Sequence, residues 1–260
     1  MKKSITLFTV LLFSVVLFSA NGVKTITQAS TVNAVLKGLY DGEITFGELK
    51  KYGDFGIGYF HKMAGEVLAV DGKFYRVKSD GLIEVVKDSD KTPFFTIATL
   101  NVDSDHYTNR KLDYNGLKQY ILNMIPRKKS FYAIRIKGVF DNLKLRTLLR
   151  QTKPYLGIGS VIRSQREFNL PLKTEGTLIG FYTPDFMEGI SIPGFHFHFI
   201  SEDKTKGGHV NSFNVVSITI EFEELRKFQL LLPENKEYHD SELRITKSLK
   251  KDLKKLEMHK

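Results

Sequence analysis

The sequence predicts an α+β fold, mostly antiparallel and mixed β-sheet, with a barrel-like second sheet, a few helices and a C-terminal amphipathic helix. Phe and Tyr are abundant, at 20 and 11 residues, and this composition favours strands. Many short segments alternate apolar residues with a second residue type, which is the period of a strand. No linker, repeat or low-complexity segment divides the 260 residues, so we expect the sheets to share one core.

Helices are predicted in three internal segments: Ser30–Tyr40, Thr45–Lys51 and Leu117–Ile125. Ser30 or Thr31 can cap the first, and Pro126 ends the third. Near the C-terminus, leucines recur at helical spacing among the lysines of residues 244–260, at Leu249, Leu253 and Leu256. We therefore predict a tail helix that docks by its leucines and points its lysines into solvent. The alternative is that these lysines bind a nucleic acid or an anionic envelope.

Strands are predicted where residues alternate. The segments Glu66–Val70 and Lys73–Val77 flank Asp71–Gly72, which is a strong hairpin signal. Further strands are predicted at Phe94–Leu100, Phe131–Ile136, Val139–Leu145, Gly176–Tyr182, Phe195–Ile200 and Phe213–Phe222. The glycines of Asp54–Phe60 indicate instead a place where the backbone turns tightly.

The most informative segment is 189–210, which holds three of the seven histidines. His196 and His198 alternate with Phe, so on a strand they point to the same face. A turn at Gly207–Gly208 can bring His209 back to the same point. Three neutral imidazoles that leave one coordination position open are typical of a catalytic Zn²⁺ site. The simpler interpretation, that each histidine is satisfied by hydrogen bonds, stays open for the residues taken alone.

The N-terminus has the pattern of a secretory signal over residues 1–22. Lys2 and Lys3 precede the largely apolar run Ile5–Phe18, and small and polar residues follow it. An uncleaved membrane anchor is the alternative, and residues 23–260 would then remain attached. With no cysteine in the chain, neither a disulfide nor attachment of lipid at a cysteine is available.

Several blocks of the sequence, in order, resemble the bacterial alpha-acetolactate decarboxylase family. The most specific is FYTPDFMEGISIPGFHFHFISEDKTKGGHV at Phe181–Val210. The other blocks are STVNAVLKGLYDG at Ser30–Gly42, GDFGIGYF at Gly53–Phe60, Gly65–Glu66, DGKFY at Asp71–Tyr75, FYAIRIKGVF at Phe131–Phe140, Arg146–Thr147 and KPY at Lys153–Tyr155. The resemblance covers nearly all of residues 23–260, and it implies one catalytic region that could comprise two closely packed subdomains.

The resemblance also implies roles for individual residues. The zinc ligands would be His196, His198 and His209, and Glu66 would be a carboxylate beside the metal. Arg146 would be the active-site arginine, and Glu257, on the tail, would be a second active-site glutamate. The activity implied is the zinc-dependent decarboxylation of (S)-2-acetolactate to (R)-acetoin and carbon dioxide through a metal-stabilised enediolate. The resemblance further suggests a homodimer that acts on a small molecule, with no nucleic-acid partner.

The sequence departs from the family pattern beside these residues. Tyr59 stands where the family usually has Thr, and Ala64 where it usually has Asp. Asn211–Ser212 replaces a more usual Leu-Asp. A pocket narrowed by Tyr59 would change the rate or the range of substrates more than it would change metal binding, since all three histidines are present.

Two other functions fit parts of the sequence. The spacing of His196, His198 and Glu202 occurs in cupin-type metal enzymes, but no Pro-x-Gly follows Ile200. A secreted zinc-binding or envelope-binding protein is the second alternative. It would need neither Glu66 nor Arg146, so their presence favours the enzyme.

Overall fold

The computed structural model describes residues 24–257, and side chains as far as Leu253. The predicted signal at 1–22 lies outside the described residues, so its cleavage remains a prediction. Within this part of the chain, none of the helices has the length and apolar character that crossing a membrane requires.

The described residues form mostly strands, as the sequence predicts. The strands are β1 (Thr25–Ala29), β2 (Ile44–Thr45), β3 (Phe55–Tyr59), β4 (Glu66–Val70), β5 (Lys73–Val77), β6 (Ile83–Val85), β7 (Lys91–Thr92), β8 (Phe94–Ala98), β9 (Ser104–Thr108), β10 (Phe131–Thr147), β11 (Arg166–Asn169), β12 (Thr174–Thr183), β13 (Gly194–Ser201), β14 (Gly207–Leu225) and β15 (Lys227–Leu231). The α-helices are α1 (Val32–Leu36), α2 (Phe46–Leu49), α3 (Tyr114–Met124), α4 (Ile158–Ser164), α5 (Lys236–His239) and α6 (Lys247–Glu257). Short 3₁₀ turns lie at Lys50–Tyr52, His61–Met63 and Asp185–Met187.

Two large sheets organise the fold, and β2 pairs with β7 in a small sheet of two strands. The first has seven strands in the order β15-β1-β8-β3-β4-β5-β6, and β15 pairs parallel with β1 while the other neighbours are antiparallel. The second has the order β11-β10-β12-β13-β14-β9, and β14 also pairs with β10. This extra pairing closes β10, β12, β13 and β14 into a barrel, so the predicted barrel-like second sheet is confirmed.

The barrel closes because its two long strands bend. Register shifts interrupt the pairing of β10 with β14 between Val139 and Phe140 and again between Asp141 and Lys144. Gly138 has φ of 155°, and a Cβ there would lie 2.1 Å from the carbonyl oxygen of Ser217. The sequence predicts two strands separated at this glycine, whereas the structure has one continuous strand with a bend.

Alternation along the strands divides the core between the barrel interior and the space between barrel and sheet. The interior is filled largely by aromatic and branched residues, including Phe140, Phe197, Phe199, Val210 and Phe213. The outer face of the barrel packs on the first sheet through a second cluster that includes Ile57, Leu68, Val77, Ile179 and Ile200. His196 and His198, which alternate with Phe197 and Phe199, therefore face the first sheet.

The prediction of a turn at Asp54–Phe60 is wrong, because these residues contain the fully buried strand β3. The glycines serve close packing here. A Cβ on Gly56 would lie 2.5 Å from the carbonyl oxygen of Thr96, and one on Gly58 would lie 2.2 Å from that of Phe94. The alternating glycines thus let β8 and the Phe95 ring lie directly against the backbone of β3.

Other differences concern the ends of elements. The first helix is shorter than predicted, because Lys37 caps it and Gly38 takes φ of 94°. Gly207–Gly208 lies in β14, and the chain reverses just before it, at residues 202–206. The hairpin of β4 and β5 has the bounds that the sequence predicts. The sequence patterns did not predict strands β1, β9, β11 and β15.

We predict that Gly58→Ala destabilises the protein by at least about 1–3 kcal/mol, because its Cβ has no space against β8. Urea unfolding followed by circular dichroism measures the change. Gly157→Ala is the matched control, because its Cβ would meet only one atom, at 4.0 Å, and it should stay within about 1 kcal/mol of the parent. Equal stability of Gly58→Ala and the parent would contradict the close packing of β3 on β8.

Candidate metal centre

The candidate site is built on one row of residues that crosses three strands of the barrel. His198 on β13 lies opposite His209 on β14, and His209 lies opposite Arg146 on β10. Directly opposite residues in antiparallel strands share a face, so these three side chains all point toward the first sheet. His196, two residues before His198, joins them on that face.

The three histidines converge as the sequence predicts. Their ring centroids are 5.0 Å (His196–His198), 5.0 Å (His196–His209) and 5.4 Å (His198–His209) apart. All three residues are buried, and one nitrogen of each lies within 4.8 Å of the others. Nε2 of His196 is 3.2 Å from Nδ1 of His209. The imidazoles thus surround a single point.

A backbone hydrogen bond sets the tautomer of His198. Its Nδ1 lies 3.0 Å from the carbonyl oxygen of Val67, which can only accept, so Nδ1 carries the proton and Nε2 carries the lone pair. The pKa of His198 is lowered to about 3, mainly by burial and in addition by the charge of Arg146, while the hydrogen bond to Val67 acts in the opposite direction. His198 is therefore neutral near pH 7, which is the form that binds a metal.

These residues fit a metal ion such as Zn²⁺. Two nitrogens bound to one tetrahedral Zn²⁺ at about 2.0–2.1 Å lie roughly 3.3 Å apart, close to the separation between His196 and His209. Nε2 of His198 is buried and has no hydrogen-bond partner among the described residues. It lies 3.5 Å from Oε2 of Glu66, so two electron-rich atoms face each other. A cation at this point would accept the lone pair of Nε2 and would be attracted by the carboxylate of Glu66.

Glu66 reaches this point from the first sheet. It is the first residue of β4, after Gly65, which takes φ of 119° and whose Cβ would lie 2.1 Å from the carbonyl oxygen of Val77. Oε1 of Glu66 is 3.3 Å from Nη1 of Arg146. Both side chains are almost fully buried, at 0% and 3% exposure, so each charge is compensated by the other in a desolvated space.

Apolar residues enclose the polar groups on two sides. On one side lies the cluster between barrel and sheet that contains Leu68 and Ile200. On the other lies a cluster that contains Tyr59 of β3, Leu148 just after β10, Ile158 of α4 and Leu253 of α6. Such surroundings lower the local dielectric and strengthen every electrostatic interaction in the site.

Tyr59 forms part of the wall nearest to Glu66. The two residues are direct cross-strand partners on β3 and β4, so their side chains share the face that meets the barrel. Tyr59 is fully buried and packs 6.0 Å from the Phe94 ring, centroid to centroid. Ala64, the other departure near Glu66, is buried and its carbonyl accepts a hydrogen bond from Nε of Arg76 at 2.6 Å.

The structure brings together five of the six residues named from the sequence: Glu66, Arg146, His196, His198 and His209. Glu257 is the last residue of α6, and its side chain lies outside the described part. Glu202 is exposed and does not belong to the metal-ligand group, so the cupin arrangement is not formed among the described residues. The sequence patterns missed the carbonyl of Val67, because a backbone acceptor has no residue signature.

Comparison with known proteins agrees with this geometry. The family model described as alpha-acetolactate decarboxylase matches residues 26–245. Alpha-acetolactate decarboxylase from Bacillus subtilis (strain 168) is 37% identical over 221 residues, which cover 85% of this chain and 86% of that protein. The protein of the same name from Methylococcus capsulatus is 36% identical over 216 residues, covering 83% of each.

Solved structures show the same fold. The crystal structure of alpha-acetolactate decarboxylase from Bacillus subtilis strain 168 superimposes with a TM-score of 0.87 at 35% identity, over 90% of this chain and 99% of that one. A Staphylococcus aureus protein, described as of unknown function and similar to alpha-acetolactate decarboxylase, gives 0.83 at 26% identity over 89% and 98%. The chain therefore belongs to the alpha-acetolactate decarboxylase family.

Proposed function

We propose that the protein catalyses the zinc-dependent decarboxylation of (S)-2-acetolactate to (R)-acetoin. Membership of the family makes it a decarboxylase, that is, a carboxy-lyase. The observation that carries the zinc-dependent mechanism is the buried convergence of three histidines beside the Glu66–Arg146 pair. His196, His198 and His209 would hold the ion.

The chemistry explains why these groups are needed. In acetolactate the ketone is β to the carboxylate, so loss of carbon dioxide leaves an electron pair that the ketone can accept as an enediolate. When bound, zinc would supply Lewis acidity toward the ketone and hydroxyl oxygens of the substrate. The surrounding charges are fixed before the reaction and need no reorganisation as negative charge develops.

Arg146 is suited to orient the substrate. Its buried guanidinium is held by the strand row of the histidines and by Glu66, 3.3 Å away. A planar guanidinium can bind the two oxygens of a carboxylate at once, which would fix the breaking bond relative to the metal ligands. Because Arg146 comes from β10 in the barrel, the sheet that carries the histidines also positions this charge.

Glu66 is suited to move a proton. Its carboxylate lies between Nη1 of Arg146 and Nε2 of His198, at 3.3 and 3.5 Å, so it faces the space where a substrate would bind. Delivery of one proton to one face of the enediolate carbon would give a single acetoin enantiomer. Glu257 is the second candidate for this step, and the docking of α6 through Leu253 would bring it toward the site.

The non-enzymatic alternative is a zinc-binding or envelope-binding protein. A protein that only holds zinc gains nothing from a buried arginine beside the ligands, whose charge opposes a cation. The presence of Arg146 with Glu66 at 3.3 Å therefore supports the enzyme.

We also propose, from the sequence pattern alone, that residues 1–22 direct export and that residues 23–260 act as one catalytic region. Recovery of the protein outside the cells with its N-terminus near residue 23 tests export. The homodimer likewise remains a proposal, and analytical ultracentrifugation tests it.

We predict that His198→Ala loses both bound zinc and acetoin formation. Removal of a ligand should weaken zinc binding by more than the roughly 10–100-fold that loss of an outer partner costs. Metal analysis and an acetoin assay with racemic acetolactate measure the two effects. His239→Ala, an exposed histidine on α5, is the matched control and should change neither. Activity in His198→Ala without zinc would refute the metal centre.

We predict that Arg146→Lys and Glu66→Gln retain zinc but lose turnover. The arginine variant keeps the charge but loses the planar fork, and turnover should fall about 100–1000-fold. The glutamate variant loses its proton function, at a cost of about 100–10,000-fold. Glu167→Gln, which lies opposite Arg146 but is exposed to solvent, is the control. Full activity of Glu66→Gln would remove Glu66 from the mechanism, and zinc loss in Arg146→Lys would make Arg146 structural.

We predict that Tyr59→Thr broadens the substrate range. The smaller side chain opens the wall beside Glu66, so kcat/KM for the ethyl homologue, acetohydroxybutyrate, should rise relative to acetolactate by about tenfold or more. Tyr59→Phe keeps the ring and should leave this ratio unchanged. A ratio that is the same in all three proteins would show that Tyr59 does not limit the pocket.

A further inference from the structure

A surface outside the metal centre combines positive charge with an exposed aromatic residue. It consists of Lys24, Arg127, Lys128, Lys129, Phe186, Arg226 and Lys227, called here the Lys24 surface, and all seven residues are exposed. Three of its members are joined through the backbone, because the carbonyl of Lys24 accepts hydrogen bonds from the amides of Arg226 and Lys227, at 2.9 and 3.2 Å. Ion pairs of both Arg127 and Arg226 with Glu224 bring the segment 127–129 beside them.

Part of the charge is neutralised and part is not. Arg127 and Arg226 share Glu224, at 2.6 and 3.0 Å, and Lys24 pairs with Asp103 and Glu223. Within the described part of the chain, no ion pair involves Lys128, Lys129 or Lys227. Asp185, beside Phe186, opposes them, and an excess of positive charge remains.

Phe186 adds an apolar group that the fold itself does not bury. It is 65% exposed and packs edge-on against Phe131, with ring centroids 6.3 Å apart. Phe131 in turn stacks on Phe228 at 5.6 Å. The hydroxyl of Tyr182 donates to the carbonyl of Lys128 at 3.0 Å, which fixes the backbone of the lysine segment just before Phe131. An exposed ring on a rigid base, next to lysines, suits the interface of a lipid bilayer.

The position of Lys24 in the chain indicates which kind of partner the Lys24 surface binds. Lys24 follows Phe18, the end of the apolar run, by six positions, so covalent geometry keeps these two residues within about 20 Å of each other. If the apolar run inserts into a membrane, that membrane therefore lies close to the Lys24 surface. A single-stranded nucleic acid could also contact the lysines and stack a base on Phe186, but it would make no use of the apolar run that ends six residues before Lys24.

We propose that the Lys24 surface binds the anionic headgroups of a membrane, with Phe186 at the lipid interface. The attraction is electrostatic and falls with salt, because exposed charges are screened within about 8 Å at physiological ionic strength. This surface would hold the enzyme at an envelope whether or not residues 1–22 are removed. The inference rests on the membrane-directed role proposed for residues 1–22 and is independent of the proposed decarboxylation.

The test uses residues 23–260, because this part contains both sheets and the Bacillus subtilis structure matches it over 99% of its own length. The protein is sedimented with vesicles of phosphatidylcholine and phosphatidylglycerol in equal parts, and with vesicles of phosphatidylcholine alone. Binding is expected to the first and not to the second, and high salt should abolish it. Failure to bind the anionic vesicles would overturn the proposal.

Matched variants assign the binding to this surface. Replacing Lys128, Lys129 and Lys227 by Gln should weaken binding about 100-fold, since each lysine near an anionic surface contributes about fivefold. The control replaces Lys37, Lys87 and Lys173, which are exposed and outside the Lys24 surface, and should bind like the parent. Phe186→Ala should weaken binding, and Leu172→Ala, with an equally exposed apolar residue, should not.

Two further outcomes would contradict the proposal. Equal loss in both lysine triples would mean that the overall charge, and not this surface, is responsible. A change of oligomeric state in Phe186→Ala, measured by analytical ultracentrifugation, would mean that the surface contacts a second copy of the chain. Acetoin formation should be unchanged in every variant, which shows that each one is folded.

Discussion

The structure depends on the burial of charged and imidazole groups between the first sheet and the barrel. Glu66 comes from the sheet and Arg146 from the barrel, and they meet at 3.3 Å with almost no exposure. Breaking such a pair by removing one partner costs about 3–5 kcal/mol, because the other charge is left buried. The two layers can therefore pack closely only in the arrangement that joins these residues. The candidate metal centre and the packing of the two sheets share the same contacts.

Within that arrangement the barrel fixes the positions of the histidines and of Arg146. His198, His209 and Arg146 occupy one row across β13, β14 and β10, so backbone hydrogen bonds fix their spacing. The β-bulges that close the barrel lie on β10 just before this row. Val67, from the facing sheet, orients the His198 ring through its carbonyl. Ligands held on paired strands need little reorganisation to receive a charge, which is the condition for electrostatic catalysis.

The helices complete the enclosure of the site. Tyr59, beside Glu66, packs in one cluster with residues of α1, α4 and α6. The family match ends at residue 245, before α6 begins at Lys247. Lys250 of this helix pairs with Glu188 at 2.5 Å, and Leu253 is buried in the cluster. The wall of the site thus links β3, which pairs with the strand that bears Glu66, to the tail helix.

The sequence by itself determined the features that depend on residues close to one another along the chain. Alternation placed His196 and His198 on one face, Asp71–Gly72 predicted the hairpin with its bounds, and leucine spacing predicted α6. Resemblance to a family named Glu66 and Arg146, but no local pattern relates them to the histidines. These two residues are 80 positions apart in the sequence, and they meet only because the sheet that carries one packs on the barrel that carries the other. For the same reason, the glycines of β3 suggested a turn until the close approach of Phe94 and Phe95 was known. Local periodicity records only which face a residue occupies, whereas distances across sheets follow from the packing of the whole chain.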